Sequence, residues 1–170
     1  PDQLSSNGLG IDQVQQLEQH NQTCQWLPAS DDMAALEQVL QTLETPLAGV
    51  VFLGDDASTE KVLAGEVFVR EAYQSCHRLR ALTLVLAAAA RPSMGLGRPR
   101  LWVVTQGAAA FSPTATGLPQ SPLWGLGKVI ALEYPEFWGG LVDIDGDASA
   151  AAALVRHLLS NAKEDQLVLK

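Results

Sequence analysis

Short apolar runs that end in turn residues alternate along this chain with longer stretches in which apolar residues recur every three or four positions. The short runs are TCQWLP (Thr23 to Pro28), AGVVFLGD (Ala48 to Asp55), PRLWVVTQG (Pro99 to Gly107), GGLVDID (Gly139 to Asp145) and QLVLK (Gln166 to Lys170). Near-continuous apolar character predicts strands buried on both faces, since a strand with one wet face would alternate apolar and polar side chains. The clearest is Leu101, Trp102, Val103 and Val104, all β-favouring, with Gly107 ending the run.

The stretches between them carry helical spacing. In DDMAALEQVLQTLE the apolar residues Met33, Leu36, Val39, Leu40 and Leu43 fall on one face, and Asp31 or Ser30 can cap its start. A longer helix is predicted from about Ser58 to Arg91, opened by Ser58/Thr59 with an acidic neighbour, bent or interrupted at Gly65, and closed by Pro92. AAAFSPTATGLPQ predicts an irregular loop, followed by a helix from about Pro122 to Glu133 and another over ASAAAALVRHLLSNA. Parallel neighbours need crossover connections. Strands alternating with helices therefore predict one α/β domain over residues 1–170: a doubly wound parallel sheet with helices on both faces. Ligands of such sheets sit at the carboxyl ends of the strands.

Composition narrows the function classes. With 170 residues, 47% of them apolar, the chain can bury a sizeable core. Eleven basic against 19 acidic residues give a net charge of −8, and the arginines form no stripe, which argues against nucleic-acid binding. The longest apolar run, Ala81 to Ala90, is about half of what a bilayer crossing needs, and PDQLSSNGLG lacks the pattern of a signal peptide. Cys24 and Cys76 have no C-x-x-C pairing and no histidine at ligand spacing, so both are expected as reduced, buried thiols of a cytoplasmic protein.

Several segments resemble chemistry without completing it. In NGLGIDQVQQLEQH, Gly8 and Gly10 stand where the first two glycines of a dinucleotide loop would, but the third position is Gln13 and no apolar strand precedes it. Gly125-Leu126-Gly127-Lys128 lacks the spacer and the Ser or Thr of a phosphate loop; its glycines are expected to let the helix pack closely on the sheet, with Lys128 in solvent. A reductase of the short-chain type needs a tyrosine followed four residues later by lysine or asparagine, whereas Tyr73 is followed there by His77 and Tyr134 by Trp138. His20, His77 and His157 have no triad neighbours and read as surface or helix-end residues. Asp143, Asp145 and Asp147 fit strand-end turn chemistry better than a metal site. No catalytic, cofactor-binding or metal-binding residue is assigned. The residues singled out are packing residues: Trp102, Trp124, Gly125, Gly127 and Trp138.

PRLWVVTQGA, a Pro/Gly loop and then QSPLWGLGKVIALEYPEFWGGLVDID, running through EDQLVLK, closely resemble the ketoreductase region of modular type I polyketide synthases, in particular its structural, N-terminal half. The resemblance covers about Leu47 to Lys170, and residues 1–46 more loosely. It implies a truncated Rossmann-like half, similar to short-chain dehydrogenases/reductases, that binds no cofactor, NADPH and the Ser, Tyr and Lys or Asn machinery belonging to a separate catalytic half. It also fits a pseudo-ketoreductase. The implied partners are the catalytic ketoreductase subdomain or an adjacent methyltransferase or enoylreductase of the same synthase. The family's first apolar strand, which stands before the position of Gly8, is replaced here by PDQLSS. Two other readings stay open: a fragment of an active NADPH-dependent reductase, and an acidic module recruiting a carrier protein, which a −8 surface would repel if the carrier is itself acidic.

Overall fold

Four parallel strands hydrogen-bond in sequence order, β1 (Gly49–Leu53), β2 (Arg100–Gln106), β3 (Trp138–Ile144) and β4 (Gln166–Leu169). The computed structural model describes residues 15, 17–20, 22–27, 30–43, 46–54, 65–89, 99–109, 115–144, 148–160 and 164–169. β1, β2 and β4 fall inside predicted strands, and β3 begins one residue before its own. Val51 pairs with Trp102, Val103 with Leu141 and Asp143 with Val168. The register slips between Leu101, opposite Trp138, and Trp102, opposite Gly140, leaving Gly139 as the extra residue of a bulge.

The expected first strand is a correction. Residues 22–27 form no strand, and Trp26 is 44% exposed. Only Cys24, Trp26 and Leu27 are apolar there, Gln25 interrupts them and Pro28 ends them, too little apolar surface for a strand buried on both faces. The Gly8 to Gln13 turn, the Ser58 start of the long helix and Pro92 lie outside the described residues.

Helices occupy both faces, as the alternation predicts. On one face α1 (Met33–Gln41), α2 (Gly65–Ala89) and α3 (Ser121–Glu133) bring Leu36, Leu40, Leu79, Leu86, Leu123 and Ile130 onto Phe52, Leu101, Val103 and Leu141. On the other, α4 (Ala148–Leu159) sets Ala150 and Leu154 on Val104, Val142 and Ile144, beside Leu167 and Leu169. The period-two alternation of β2 and β3 thus feeds two cores, which is why both strands read as unbroken apolar runs.

Capping differs in detail from expectation. Asp32 caps α1, its carboxylate accepting from the backbone N–H groups of Ala34 (3.0 Å) and Ala35 (3.2 Å), and Ser30 Oγ accepts from the Asp32 N–H. In α2 the buried hydroxyl of Thr83 donates to the Leu79 carbonyl at 2.8 Å and so is itself paired within the core. The predicted loop before α3 contains a 3-10 helix, Ala115–Gln120, that runs directly into α3, where Pro122 sits in the first turn and needs no N–H partner. Among the described residues no helix is long and apolar enough to cross a membrane.

Candidate functional site

β2 leads into α3 on one face of the sheet, while β3 leads into α4 on the other. Such divergence opens the ligand crevice at the carboxyl ends of strands in open α/β sheets. In this chain the crevice holds the protein's own polar groups.

Asp143, at the carboxyl end of β3, is fully buried. Its Oδ1 accepts from Thr105 Oγ1 at 2.6 Å and from the Ala108 N–H at 2.9 Å, and its Oδ2 accepts from the Ala109 N–H at 3.0 Å. Thr105 Oγ1 in turn accepts from Trp124 Nε1 at 2.9 Å. One carboxyl group therefore joins the ends of β2 and β3, the turn after β2 and, through Thr105, the first turns of α3. That turn is possible because Gly107 adopts a φ of 65°, where a side chain would be strained.

Gln120 closes the neighbouring half. It is 4% exposed, and its Oε1 accepts from the Gln106 N–H at 2.9 Å. The same side chain lies against Gly54, just past β1, so closely that a Cβ there would collide with the amide oxygen. Gly117 is likewise pressed on the backbone of Gln106 and Gly107, with no room for a Cβ. The 3-10 helix thus lies across the ends of β1 and β2, and the Gly54 N–H donates to the Val104 carbonyl at 2.8 Å beneath it.

The packing residues singled out from the sequence fall at different places. Trp102 is buried on the α4 face, its ring so close over Gly49 and Gly139 that a Cβ on either would come within 2.6 Å and 2.7 Å of it. Trp124 is half-buried and hydrogen-bonded as above. Trp138 packs with the α2/α3 core, and its buried Nε1 has no hydrogen-bond partner among the described residues. A Cβ on Gly127 would lie 2.7 Å from Leu141 Cδ2, so close approach to the sheet occurs here. At Gly125 the expectation is corrected: it points away from the sheet with nothing within 4 Å of a built Cβ. Helical geometry explains the split, since positions two apart face different sides. Lys128 is exposed.

None of the histidines meets a catalytic partner among the described residues. His20 is exposed after a helical turn, His157 is half-buried in the last turn of α4, and His77 packs against Tyr73 with the rings tilted at 41° and their centroids 4.4 Å apart. Tyr134 stacks on Phe137. Both cysteines are free, and half-buried rather than buried. Burial, and after it the Glu18 carboxylate, raise the Cys24 thiol above its ordinary pKa, and burial raises Cys76. No group of three His, Cys, Asp or Glu that could hold a metal ion occurs among the described residues. Sequence reasoning missed Gln120; for Asp143 it gave strand-end turn chemistry, and the turn Asp143 holds is the one after the neighbouring strand β2, while Asp145 and Asp147 lie outside the described residues.

Comparison with known proteins places this geometry. Residues 11–170 match the family described as the Rossmann-fold domain of the polyketide synthase extender module SpnB. The chain is 33% identical over 149 residues to a component of the phenolphthiocerol/phthiocerol polyketide synthase of Mycobacterium tuberculosis, a match covering 85% of this chain and 9% of that protein. It is 47% identical over 76 residues to the pikromycin polyketide synthase component PikAIII of Streptomyces venezuelae, covering 41% of this chain and 5% of the relative. It thus spans under a tenth of the length of both relatives. Among solved structures, an A1-type ketoreductase matches 100% of this chain and 34% of its own at 26% identity and a TM-score of 0.72. A C2-type ketoreductase from a modular polyketide synthase matches 95% of this chain and 35% of its own at 26% identity and a TM-score of 0.70. The chain belongs to the Rossmann-fold domain family of polyketide synthase extender modules, as a Rossmann-like subdomain of a polyketide synthase ketoreductase region.

Proposed function

We propose that this chain is a non-catalytic scaffold: it binds no nucleotide, turns over no substrate by itself, and packs against and stabilises neighbouring catalytic domains of a polyketide synthase. The observation that carries this is the filled carboxyl end of the sheet. A dinucleotide entering there would have to displace Gln120 from the Gln106 N–H and break the buried Asp143–Thr105 bond, leaving polar groups unpaired in the process. The partners are the catalytic ketoreductase subdomain or an adjacent methyltransferase or enoylreductase of the same synthase, and NADPH belongs to the catalytic subdomain. Titrating the isolated chain with NADPH, followed by calorimetry and by fluorescence of its tryptophans, is expected to show no saturable binding. A micromolar dissociation constant would overturn the reading.

A second reading is a fragment of an active NADPH-dependent β-ketoacyl reductase whose catalytic half lies outside this chain. It is favoured by the solved relatives, which are called ketoreductases and of which this chain matches about a third. The two readings agree on what this chain does and differ on its neighbour. They separate on the parent polypeptide: a glycine-rich loop with Ser, Tyr and Lys or Asn in the neighbouring segment marks an active reductase, and their absence marks a pseudo-ketoreductase.

A further inference from the structure

The groups that hold Asp143 form a cradle suited to a carboxylate. Asp143 stands directly opposite Thr105 in the sheet register, which brings the hydroxyl onto Oδ1 from the side. Because Thr105 Oγ1 accepts from Trp124 Nε1, its own proton is left for Asp143. The turn after β2 adds two successive backbone N–H groups, that of Ala108 to Oδ1 at 2.9 Å and that of Ala109 to Oδ2 at 3.0 Å. Gly107, with its φ of 65°, reverses the chain so that both point at one spot. Successive N–H groups in such a turn form a concavity that binds anions. With one N–H for each oxygen and a hydroxyl besides, this cradle fits a planar group with two oxygens and a single negative charge. It lies at the carboxyl end of the sheet, the side on which α/β sheets take ligands.

We propose that the turn after β2 is an anion site in its own right, selective for a small carboxylate, and that Asp143 is the ligand the chain supplies to itself. The inference deepens the scaffold reading and rests on it: this end of the sheet takes no outside ligand because a residue of β3 already fills the site. Geometry then fixes which outside molecule can replace that residue. Truncating Asp143 to alanine removes Cγ and both carboxyl oxygens, which are the heavy atoms of formate. Truncating it to glycine removes Cβ as well, and the atoms lost are those of acetate. Acetate carries one methyl too many for the alanine variant, since Asp143 is fully buried and a close-packed site resists an extra carbon.

The test is rescue of Asp143→Ala, read as its thermal unfolding midpoint in sodium formate, sodium acetate and sodium chloride at equal ionic strength. A ligand of formate's size reaches a dissociation constant of about 1 mM at best, so the titration runs to about 0.3 M. Formate is expected to raise the midpoint of Asp143→Ala saturably, by about 4 °C or more over chloride, with acetate well behind and the wild type unmoved. In Asp143→Gly, acetate is expected to match or exceed formate. An equal rise in the wild type, or equal rises with formate and acetate in both variants, marks a general effect of salt and overturns the proposal. So does a midpoint of Asp143→Ala that formate leaves in place. Should Asp143→Ala not fold in chloride, its refolding from urea into formate is followed by near-ultraviolet circular dichroism. Recovery of the native signal there supports the proposal, and no recovery overturns it. None of these outcomes bears on the NADPH titration of the wild-type chain, so the anion site and the scaffold reading fail separately.

Discussion

The hydroxyl of Thr105 donates to the carboxyl group of Asp143 at 2.6 Å across two neighbouring strands, where both residues are buried. Because Asp143 also takes the Ala108 and Ala109 N–H groups, it acts as an internal ligand that holds the turn after β2 in place. Asp143→Ala would strand three donors and is expected to lower stability by about 3 kcal/mol or more, read by urea denaturation. Asp143→Asn keeps an acceptor and should lose clearly less. Equal losses for the two variants would mean that the cavity, rather than the hydrogen bonds, sets the cost.

Thr105 is the middle of a relay, since it also accepts from Trp124 Nε1. Trp124→Phe removes that donor together with part of the indole's bulk, so it is expected to cost about 1 kcal/mol or more. In Thr105→Val both bonds vanish, and the second substitution should then have a smaller effect. A double-mutant cycle that is strictly additive would show that the Trp124–Thr105 bond contributes nothing to stability.

The sheet was legible in the sequence because β2 and β3 are each buried on both faces and carry unbroken apolar runs, Leu101 to Val104 and Leu141 to Val142. The site was not legible, because its groups meet across the fold. Gln120 bonds a backbone N–H 14 residues away and Asp143 one 35 residues away, separations that local periodicity does not register. TCQWLP failed for the opposite reason: it has turn punctuation and β-compatible residues but too few apolar ones to bury. The tryptophans stand out in the sequence as packing residues, and Trp102 is covered within its own sheet, whereas the outward apolar side chains of α3 are Val129 and Leu132. A spacing rule for one buried stripe does not distinguish it from a second stripe two positions over.

The two glycines of α3 should respond to alanine with opposite signs. Gly125→Ala adds a methyl into open space and gains helix propensity, which stabilises the isolated chain by up to about 1 kcal/mol. Gly127→Ala gains the same propensity but drives its Cβ to 2.7 Å from Leu141, a buried side chain with little room to shift. Overpacking of this kind costs about 1–3 kcal/mol, so the net change is expected to be destabilising. Thermal unfolding of the two variants side by side decides it, and a stabilised Gly127→Ala would show that Leu141 re-rotamers freely.

The Trp102 ring lies close over Gly49 and Gly139 of the strands on either side, and a Cβ on either glycine would collide with it. Trp102→Ala is expected to cost about 3–5 kcal/mol, because the neighbouring glycines offer no side chains to fill the space. Gly49→Ala attacks the same contact from below, with a Cβ 2.6 Å from the ring and 3.0 Å from the Arg100 carbonyl oxygen. If ring and glycine form one contact, Gly49→Ala should be better tolerated in a Trp102→Leu background than in the wild type.

Burial raises the Cys76 thiol above its ordinary pKa, and the sign of the consequence follows from which state holds the proton. The folded chain binds that proton more tightly than the unfolded chain, so the stabilising difference is present at neutral pH. It is lost as pH climbs past the ordinary thiol value near 9.0 and through the raised one. Alkaline titration should therefore weaken the fold of the wild type more steeply than that of Cys76→Ala over this range. In the native chain, alkylation of Cys76 at pH 8 should be slower than in urea by more than its half-burial alone predicts, since the thiolate is the reactive form. Identical pH slopes for wild type and Cys76→Ala would show that the thiol stays equally acidic in both states, which its packing against the α2/α3 core argues against.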